Sequence, residues 1–473
     1  MLAITCNLPP VAAVAFNISP LCNTKSLVNN SVDVFAATAL TWNKLNAWSV
    51  SVPVELKPSP VIVNVIVSAL PESLDTSIEL ITEALKSAPL GAVYKISLSV
   101  SVKSIFAFVM PWIYWGISLS LEAKALAAYS ALFPIYTFEK VLKKVLKLFD
   151  EIGFQPIVSP EVEFYLVKPN PDSDYPLEVP LGQSGREETG KQAFGIDAVN
   201  EFDNLFEDVY NFCEQQNIEI DTINHESGSA QMEINFQHGD PLELADQVFL
   251  FKRTLRQAAL KHKLYATFMA KPMENQPGSS LHLHQSLIKK KNNKNVFFSK
   301  TSTISNIMKN YIAGLQTYTP KLMPIHAPNI NSYRRLFSTW DAPKNTYWGL
   351  GNRSCGFRIP SNEEHSMRIE NRISGSDTNP YLVFAANLAA GYLGIKNKLK
   401  PTAEMKKSVF GKDKSMLPRN VEEAVSLFEN DDQINEVFNQ KFVRTIAAIR
   451  RVENQAYLKV ISSWEREYLL LNV

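Results

Sequence analysis

The chain has 473 residues, 45% of them hydrophobic and 20% charged, which excludes a disordered, collagen-like or disulfide-scaffold protein. Lys and Arg number 48 against 47 Asp and Glu, so a net charge of +1 leaves no basic field to draw the chain to nucleic acid. The four cysteines (Cys6, Cys22, Cys213, Cys355) are scattered without a CxxC pair, which fits a reducing, cytoplasmic setting and argues against a thiolate metal cluster.

Residues 1–135 are atypical. They contain no arginine, the first being Arg186, and only seven Lys and seven Asp or Glu. Leu74, Ile78, Ile81 and Leu85 sit at helical spacing, while Ile96, Leu98, Val100 and Val102 alternate with small polar residues as on a half-buried strand. Ser104–Leu121 is an uncharged run that just reaches the length of a membrane span. Three readings of this region stay open: a wrong start or shifted frame, which the missing charge favours; a divergent folded domain; and a membrane anchor. A signal peptide is not supported, because the apolar run lies far from Met1 and no basic segment opens the chain.

Residues 136–473 are more legible. Thr137 can cap a helix on Val141, Leu142, Val145, Leu146, Phe149 and Ile152, ended by Gly153. An extended run from Gln155 to Val167 follows, then a helix over 198–215 leading into Ile218–Asp221. Asp240, Pro241 and Glu243 make a capping-box start for a helix on Leu244, Val248, Phe251, Leu255 and Ala259, reaching about Lys263. Lys289–Lys294 reads as a solvated hairpin loop. After Asn379-Pro380, Leu382 to Ile395 is apolar all round and predicts a buried helix. Two helices close the chain, the last on Ile446, Ile449, Val452, Ala456, Val460 and Trp464. Strands and helices mix without regular alternation, which predicts an α+β fold.

Four strand-like runs share one peculiarity. Side chains two apart on a strand face the same way. In Pro160–Leu166, Glu161 and Glu163 share one face and Val162, Phe164 and Leu166 the other; Gln231–Phe236 puts Glu233 opposite Met232, Ile234 and Phe236. Leu281–His284 does the same with His282 and His284, and Met367–Arg372 gathers Arg368, Glu370 and Arg372. Any one of these could be a surface strand, but solvated strands favour Thr, Lys and Ser. If the runs share a sheet, their polar faces line one concave surface, where crowded carboxylates repel unless cations sit among them. Carboxylate oxygens with one imidazole suit magnesium or manganese, and two ions match the number of ligands.

A second constellation is basic: Arg334 and Arg335, then Arg353 and Arg358, then Arg368 and Arg372 around Glu370. Guanidinium forks beside a divalent-metal site point to phosphoryl transfer, since they clamp phosphate and carboxylate oxygens. Gly185–Gln192 matches GxxxxGK but ends in Gln where Ser or Thr would hold magnesium, so it reads as a chance loop.

Together these segments resemble the catalytic domain of the glutamine synthetase superfamily. PEVEFYL, NHESGSAQMEINF, PGSSLHLHQSL, NSYRRL, NRSCGFRIP and MRIENR followed by TNPYL match in order and spacing over about residues 137–470, and HGDPLELADQVFLFKRTLRQAALKHKLYATFMAKP resembles the branch with γ-glutamylpolyamine (glutamate–putrescine) ligases. The resemblance implies a funnel of antiparallel sheet with two magnesium or manganese ions at its waist. Position by position, Glu163, Glu226 and Glu233 resemble the ligands of the first ion and Glu161, His282 and Glu370 those of the second. Gly278, Arg335 and Arg372 match positions that hold glutamate. Arg353, Arg358 and Arg368 match residues on ATP and the transferred phosphate, with His284 and Ser286 on the nucleotide side. Asp341 falls where glutamine synthetases carry a flap glutamate that shields the intermediate and helps deprotonate ammonium, one methylene shorter here. Arg353, Asp341 and Arg372 are thereby the implied catalytic residues.

The implied chemistry is phosphorylation of the γ-carboxylate of glutamate by ATP, then attack of ammonia or a primary amine on the acyl phosphate. Pro277 and Ser280 depart from the usual text around His282, which fits an amine-ligase branch. The family also carries a β-grasp domain that completes the active site of a neighbouring subunit in a ring; none is legible in residues 1–135, which puts homo-oligomeric assembly and full activity in question. A related guanidino-kinase-like phosphotransferase, a pseudoenzyme that binds nucleotide and metal without turnover, and a membrane-tethered ligase remain as alternatives.

Overall fold

The computed structural model describes residues 138–338, 342–410 and 416–473; before residue 138 it describes only short backbone strands. The chain divides into two units, Met1–Leu132 and Phe133–Val473. In the first, Leu2–Cys6 pairs with Val63–Val67, Leu27–Asn29 with Ser31–Asp33, Ser49–Ser51 with Ser97–Ser99, and Val54–Glu55 with Val93–Tyr94, all antiparallel. Ser97–Ser99 falls inside the alternating run expected to be extended. The helix expected on Leu74–Leu85, the apolar run Ser104–Leu121 and the cap at Thr137 lie outside the described residues. Among the described residues no helix is long and apolar enough to cross a membrane.

The second unit is built on one sheet of nine described strands: β1 (Phe154–Val167), β2 (Ile220–His225), β3 (Gln231–Phe236), β4 (Tyr265–Thr267), β5 (Leu281–Lys289), β6 (Lys294–Asn295), β7 (Trp348–Leu350), β8 (Phe357–Ile359) and β9 (Ile369–Asn371). Their order is β2–β3–β1–β5–β9–β8–β7, with β4 beside β1 and β6 hairpinned to β5. The four runs singled out for their polar faces are therefore neighbours. Pairing is antiparallel except between β7 and β8, which run parallel, a departure from the all-antiparallel funnel expected. The α+β class stands.

The helices follow the sequence signals where caps are strong. Helix α1 (Glu139–Glu151) buries Leu142, Val145 and Phe149, and Gly153 ends it with φ of 77°. The helix expected over 198–215 is broken: a short turn, Ile196–Asn200, precedes α2 (Asp203–Gln215), because buried Phe202 leaves helical geometry between them. Helix α3 (Pro241–Lys261) starts where Asp240 accepts from the amides of Leu242 and Glu243. Then come α4 (Asn306–Tyr318), capped by Ser305, and α5 (Ile330–Ser338), followed by α6 (Pro380–Lys396), which Asn379 caps and whose residues are nearly all buried, as its composition requires. The Lys-rich run closes the β5–β6 hairpin as expected, Asn293 adopting φ of 53°.

The chain ends in α7 (Val421–Glu429), α8 (Asp432–Phe438), α9 (Gln440–Tyr457) and α10 (Ser463–Leu469). This corrects the single last helix expected through Trp464. A capping box at Ser462 and Glu465 begins a separate helix, and Val452, Val460 and Trp464 are exposed. The apolar undersides of β1, β3, β5 and β9 (Val162, Phe164, Met232, Ile234, Leu283, Ile369) join one core with α1, α3, α4 and α6.

Candidate active site

Register, rather than sequence proximity, assembles the site. Glu233 on β3 pairs with Glu163 on β1, Glu161 on β1 with His282 on β5, and His284 on β5 with Glu370 on β9, which in turn faces Arg358 on β8. Directly paired antiparallel residues project to the same side. The polar faces therefore form one continuous surface, with Glu163, Glu233, His282, His284 and Glu370 all under 8% exposed.

Two clusters of ligand-bearing atoms lie on it. Glu161, His282 and Glu370 offer atoms within 4.8 Å of one another, and so do Glu163, Glu233 and His282. Glu226, just beyond the end of β2, belongs to neither cluster, yet its charge reaches both Glu163 and Glu233. Burial, with Glu161 and Glu226 nearby, pushes Glu233 up to about 8. Burial and the same kind of crowding by Glu226 and Glu233 raise Glu163 well above the usual carboxylate range. Glu226 is raised too, by burial, against the pull of the Ser227 amide, Arg353 and Arg372.

The other trio is already compensated. Burial opposes ionisation of Glu161, but its bonds with His282 (3.2 Å to Nδ1) and His284 (2.7 Å to Nε2) outweigh it and lower its pKa. Glu370 is held at about 2 against burial, chiefly by Arg372, which donates to Oε1; Arg358 donates to Oε2 at 2.7 Å. Burial and Arg372 depress His282 to about 4, so this imidazole is neutral and able to serve as a metal ligand. Arg368 Nε donates to His284 Nδ1 at 3.0 Å, which leaves the proton on Nε2 for Glu161.

The residues expected around glutamate also converge. A Cβ on Gly278 would stand 2.5 Å from Arg335 Cγ, and the guanidinium of Arg335, 2% exposed, donates to the Ile373 carbonyl, Ser280 Oγ and the Arg372 carbonyl. Ser286 continues the His282–His284 face, opposite Ile157. Arg353 is exposed on the segment between β7 and β8. Asp341 lies outside the described residues.

A hard, oxygen-rich donor set with one neutral imidazole fits divalent magnesium or manganese. Mutually raised carboxylates are the pattern that a cation relieves.

Residues 139–469 match the family model for the glutamine synthetase catalytic domain. The chain belongs to the glutamine synthetase family. It is 33% identical to the γ-glutamylputrescine synthetase PuuA of Escherichia coli strain K12 over 337 residues, covering 70% of this chain and 71% of that protein. A glutamine synthetase of Pyrococcus horikoshii is 32% identical (69% and 75% covered), and a glutamate–isopropylamine ligase of Pseudomonas 30% identical (69% and 71%). Among solved structures, apo GmaS superposes with a TM-score of 0.62 at 26% identity, covering 70% of this chain and 76% of that one. The expected family and its γ-glutamylputrescine synthetase-like branch are thus borne out, and the family is one of ATP-dependent glutamate ligases.

Sequence reading gave neither Gln231 nor Ser280 a contact at the site. Gln231 Nε2 donates to the Gly278 carbonyl at 3.0 Å and lies 3.4 Å from Glu163 Oε2, while its Oε1 accepts from the Gly228 amide. The Ser280 amide donates to Glu163 Oε2 at 2.7 Å. Strand parity could have found both: Gln231 is two residues from Glu233, and Ser280 two from His282.

Proposed function

We propose that the chain joins the γ-carboxylate of glutamate to ammonia or a small primary amine at the expense of ATP, through γ-glutamyl phosphate. The observation that carries this reading is the register that gathers the Glu and His side chains of β1, β3, β5 and β9, with Arg335, Arg358 and Arg372 beside them. Glu163, Glu226 and Glu233 would hold one divalent ion, and Glu161, His282 and Glu370 the other. Bound magnesium or manganese would supply the positive charge that phosphate oxygens need during transfer.

The chain's own groups do the rest. Arg335 and Arg372 seat glutamate, with Gly278 leaving the room that the Arg335 stem occupies. Arg353, Arg358, Arg368, His284 and Ser286 hold ATP and absorb charge on the transferred phosphoryl group. A γ-carboxylate oxygen bonds to the γ-phosphorus and ADP leaves. The amine nitrogen then bonds to the acyl carbon, phosphate departs, and the ammonium proton passes to a carboxylate, the role proposed for Asp341.

The identity to PuuA and to the glutamate–isopropylamine ligase supports a primary amine as acceptor alongside ammonia. The test is ADP release together with amide formation by mass spectrometry, with glutamate, ATP, magnesium and each of ammonia, putrescine and isopropylamine. Amide that requires ATP, glutamate and one of these amines is expected. ADP without amide, or nucleotide binding without ADP, would overturn the reading.

A further inference from the structure

The motif set aside as a chance loop, Gly185–Gln192, contains one buried residue that the chemistry above leaves unused. Gln183–Glu187 and Thr189 are exposed, yet the Glu188 side chain is 2% exposed. Its Oε1 accepts from the Gly190 amide at 2.7 Å and from Gln192 Nε2 at 2.8 Å. Its Oε2 accepts from the Ala230 amide and stands 3.3 Å from Nε2 of His225, which is wholly buried.

Those last two contacts bracket the turn that carries a ligand. His225 ends β2, Ala230 immediately precedes β3, and Glu226 lies between them; Glu233 follows on β3. The loop grips the same turn through its backbone, Lys191 N donating to Ser227 O and Phe194 N to His225 O, each at 2.8 Å. Lys191, Phe194 and Ala230 all have positive φ (61°, 64° and 53°), a conformation that non-glycine residues keep only where their surroundings fix it. A buried carboxylate that accepts from three donors, with the His225 ring beside it, supplies that fixing at the junction.

We propose that Glu188 is a positioning residue, which locks the β2–β3 turn so that Glu226 and Glu233 meet Glu163 in ion-binding geometry. The inference rests on the two-ion reading above. Groups that orient metal ligands from outside typically change affinity by about 10–100-fold when removed. Loss of Glu188 is therefore expected to weaken one of the two ions, that of Glu163, Glu226 and Glu233, and to spare the other.

The experiment is titration with manganese alone, followed by electron paramagnetic resonance of the free ion, on the full chain and on Glu188→Gln. If the unchanged chain binds fewer than two ions, the two-ion reading fails, and this inference with it. If it binds two, the expected result for Glu188→Gln is one site weakened about tenfold or more and the other within about twofold. Two sites at unchanged affinity, or both weakened alike, would overturn the positioning role while leaving the two-ion reading intact. Should Glu188→Gln fail to fold, Gln192→Ala removes one donor to the same carboxylate. A folded Gln192→Ala is expected to weaken the same single site by a smaller factor, and unaltered affinities there would equally reject the proposal.

Discussion

At the scale of single residues, the site works by what surrounds each charge. Arg335 is buried and holds its place through two carbonyls and Ser280 Oγ, so its position depends on the space left by Gly278. A methyl on Gly278 would also meet the Ala270 carbonyl at 2.8 Å, and backbone there has no room to yield. Gly278→Ala is expected to push Arg335 aside and raise the KM for glutamate about tenfold, roughly 1.4 kcal/mol, with the KM for ATP little changed. Steady-state kinetics in both substrates decide it; an unaltered glutamate KM would take Arg335 out of substrate binding. Which residue types belong to the site was legible at this scale, because Glu161 and Glu163, or His282 and His284, announce a polar face by alternation alone. Their states of charge were not. Only the fold shows that Arg358, rather than Arg368, joins Arg372 on Glu370, and that Glu163 is crowded by Glu226 and Glu233 from outside its own strand.

Among elements, the underside of the sheet sets the register of its upper face. Asn387, fully buried in α6, accepts from Gln285 Nε2 on β5 and from Asn371 Nδ2 on β9, and Gln285 Oε1 accepts from Tyr311 on α4. These amides tie together the two strands that bring His284 opposite Glu370. Asn387→Leu keeps the volume but strands two buried donors, at a cost of about 1–3 kcal/mol for each. A lower urea midpoint with an unchanged slope is expected, and a midpoint equal to that of the parent chain would show that the amide chain contributes nothing. Caps at Asp240 and Asn379 were readable because side-chain oxygen at that position has one local use. The break at Phe202, the separate α10 and the parallel β7–β8 pair were not. Periodicity tells which residues share a face of one strand, but not which strand lies next to it.

For the molecule as a whole, raised carboxyls couple stability to pH and to divalent ions. A carboxyl whose folded pKa exceeds its free value of 4.5 contributes stability that is intact below about 4.5 and is lost as pH rises through the folded value, about 8 for Glu233. A bound cation must displace that proton, so its affinity falls as pH drops below about 8. The rise in melting temperature on adding magnesium or manganese is therefore expected to grow between pH 6 and 8, by about 1.4 kcal/mol of binding free energy per pH unit for each proton displaced. Comparing melts with and without the ion at each pH cancels other titrating groups, among them Lys252, which burial lowers to about 7. An ion-induced shift that is flat with pH would contradict the crowding of Glu163, Glu226 and Glu233.

Helices α4 and α6 cross with almost nothing between their backbones: a Cβ on Gly314 would lie 2.1 Å from the Ala390 carbonyl, and one on Gly394 2.1 Å from that of Asn310. Those helices pack on the underside of β5, where Asn387 and Tyr311 meet Gln285, and the proposed ligands lie on its other face. In a saturation-mutagenesis screen for growth or activity, Gly314 and Gly394 should tolerate as few replacements as the glutamates of the funnel. A map of intolerant positions would therefore show two bands, one chemical and one purely steric, separated by the thickness of the sheet.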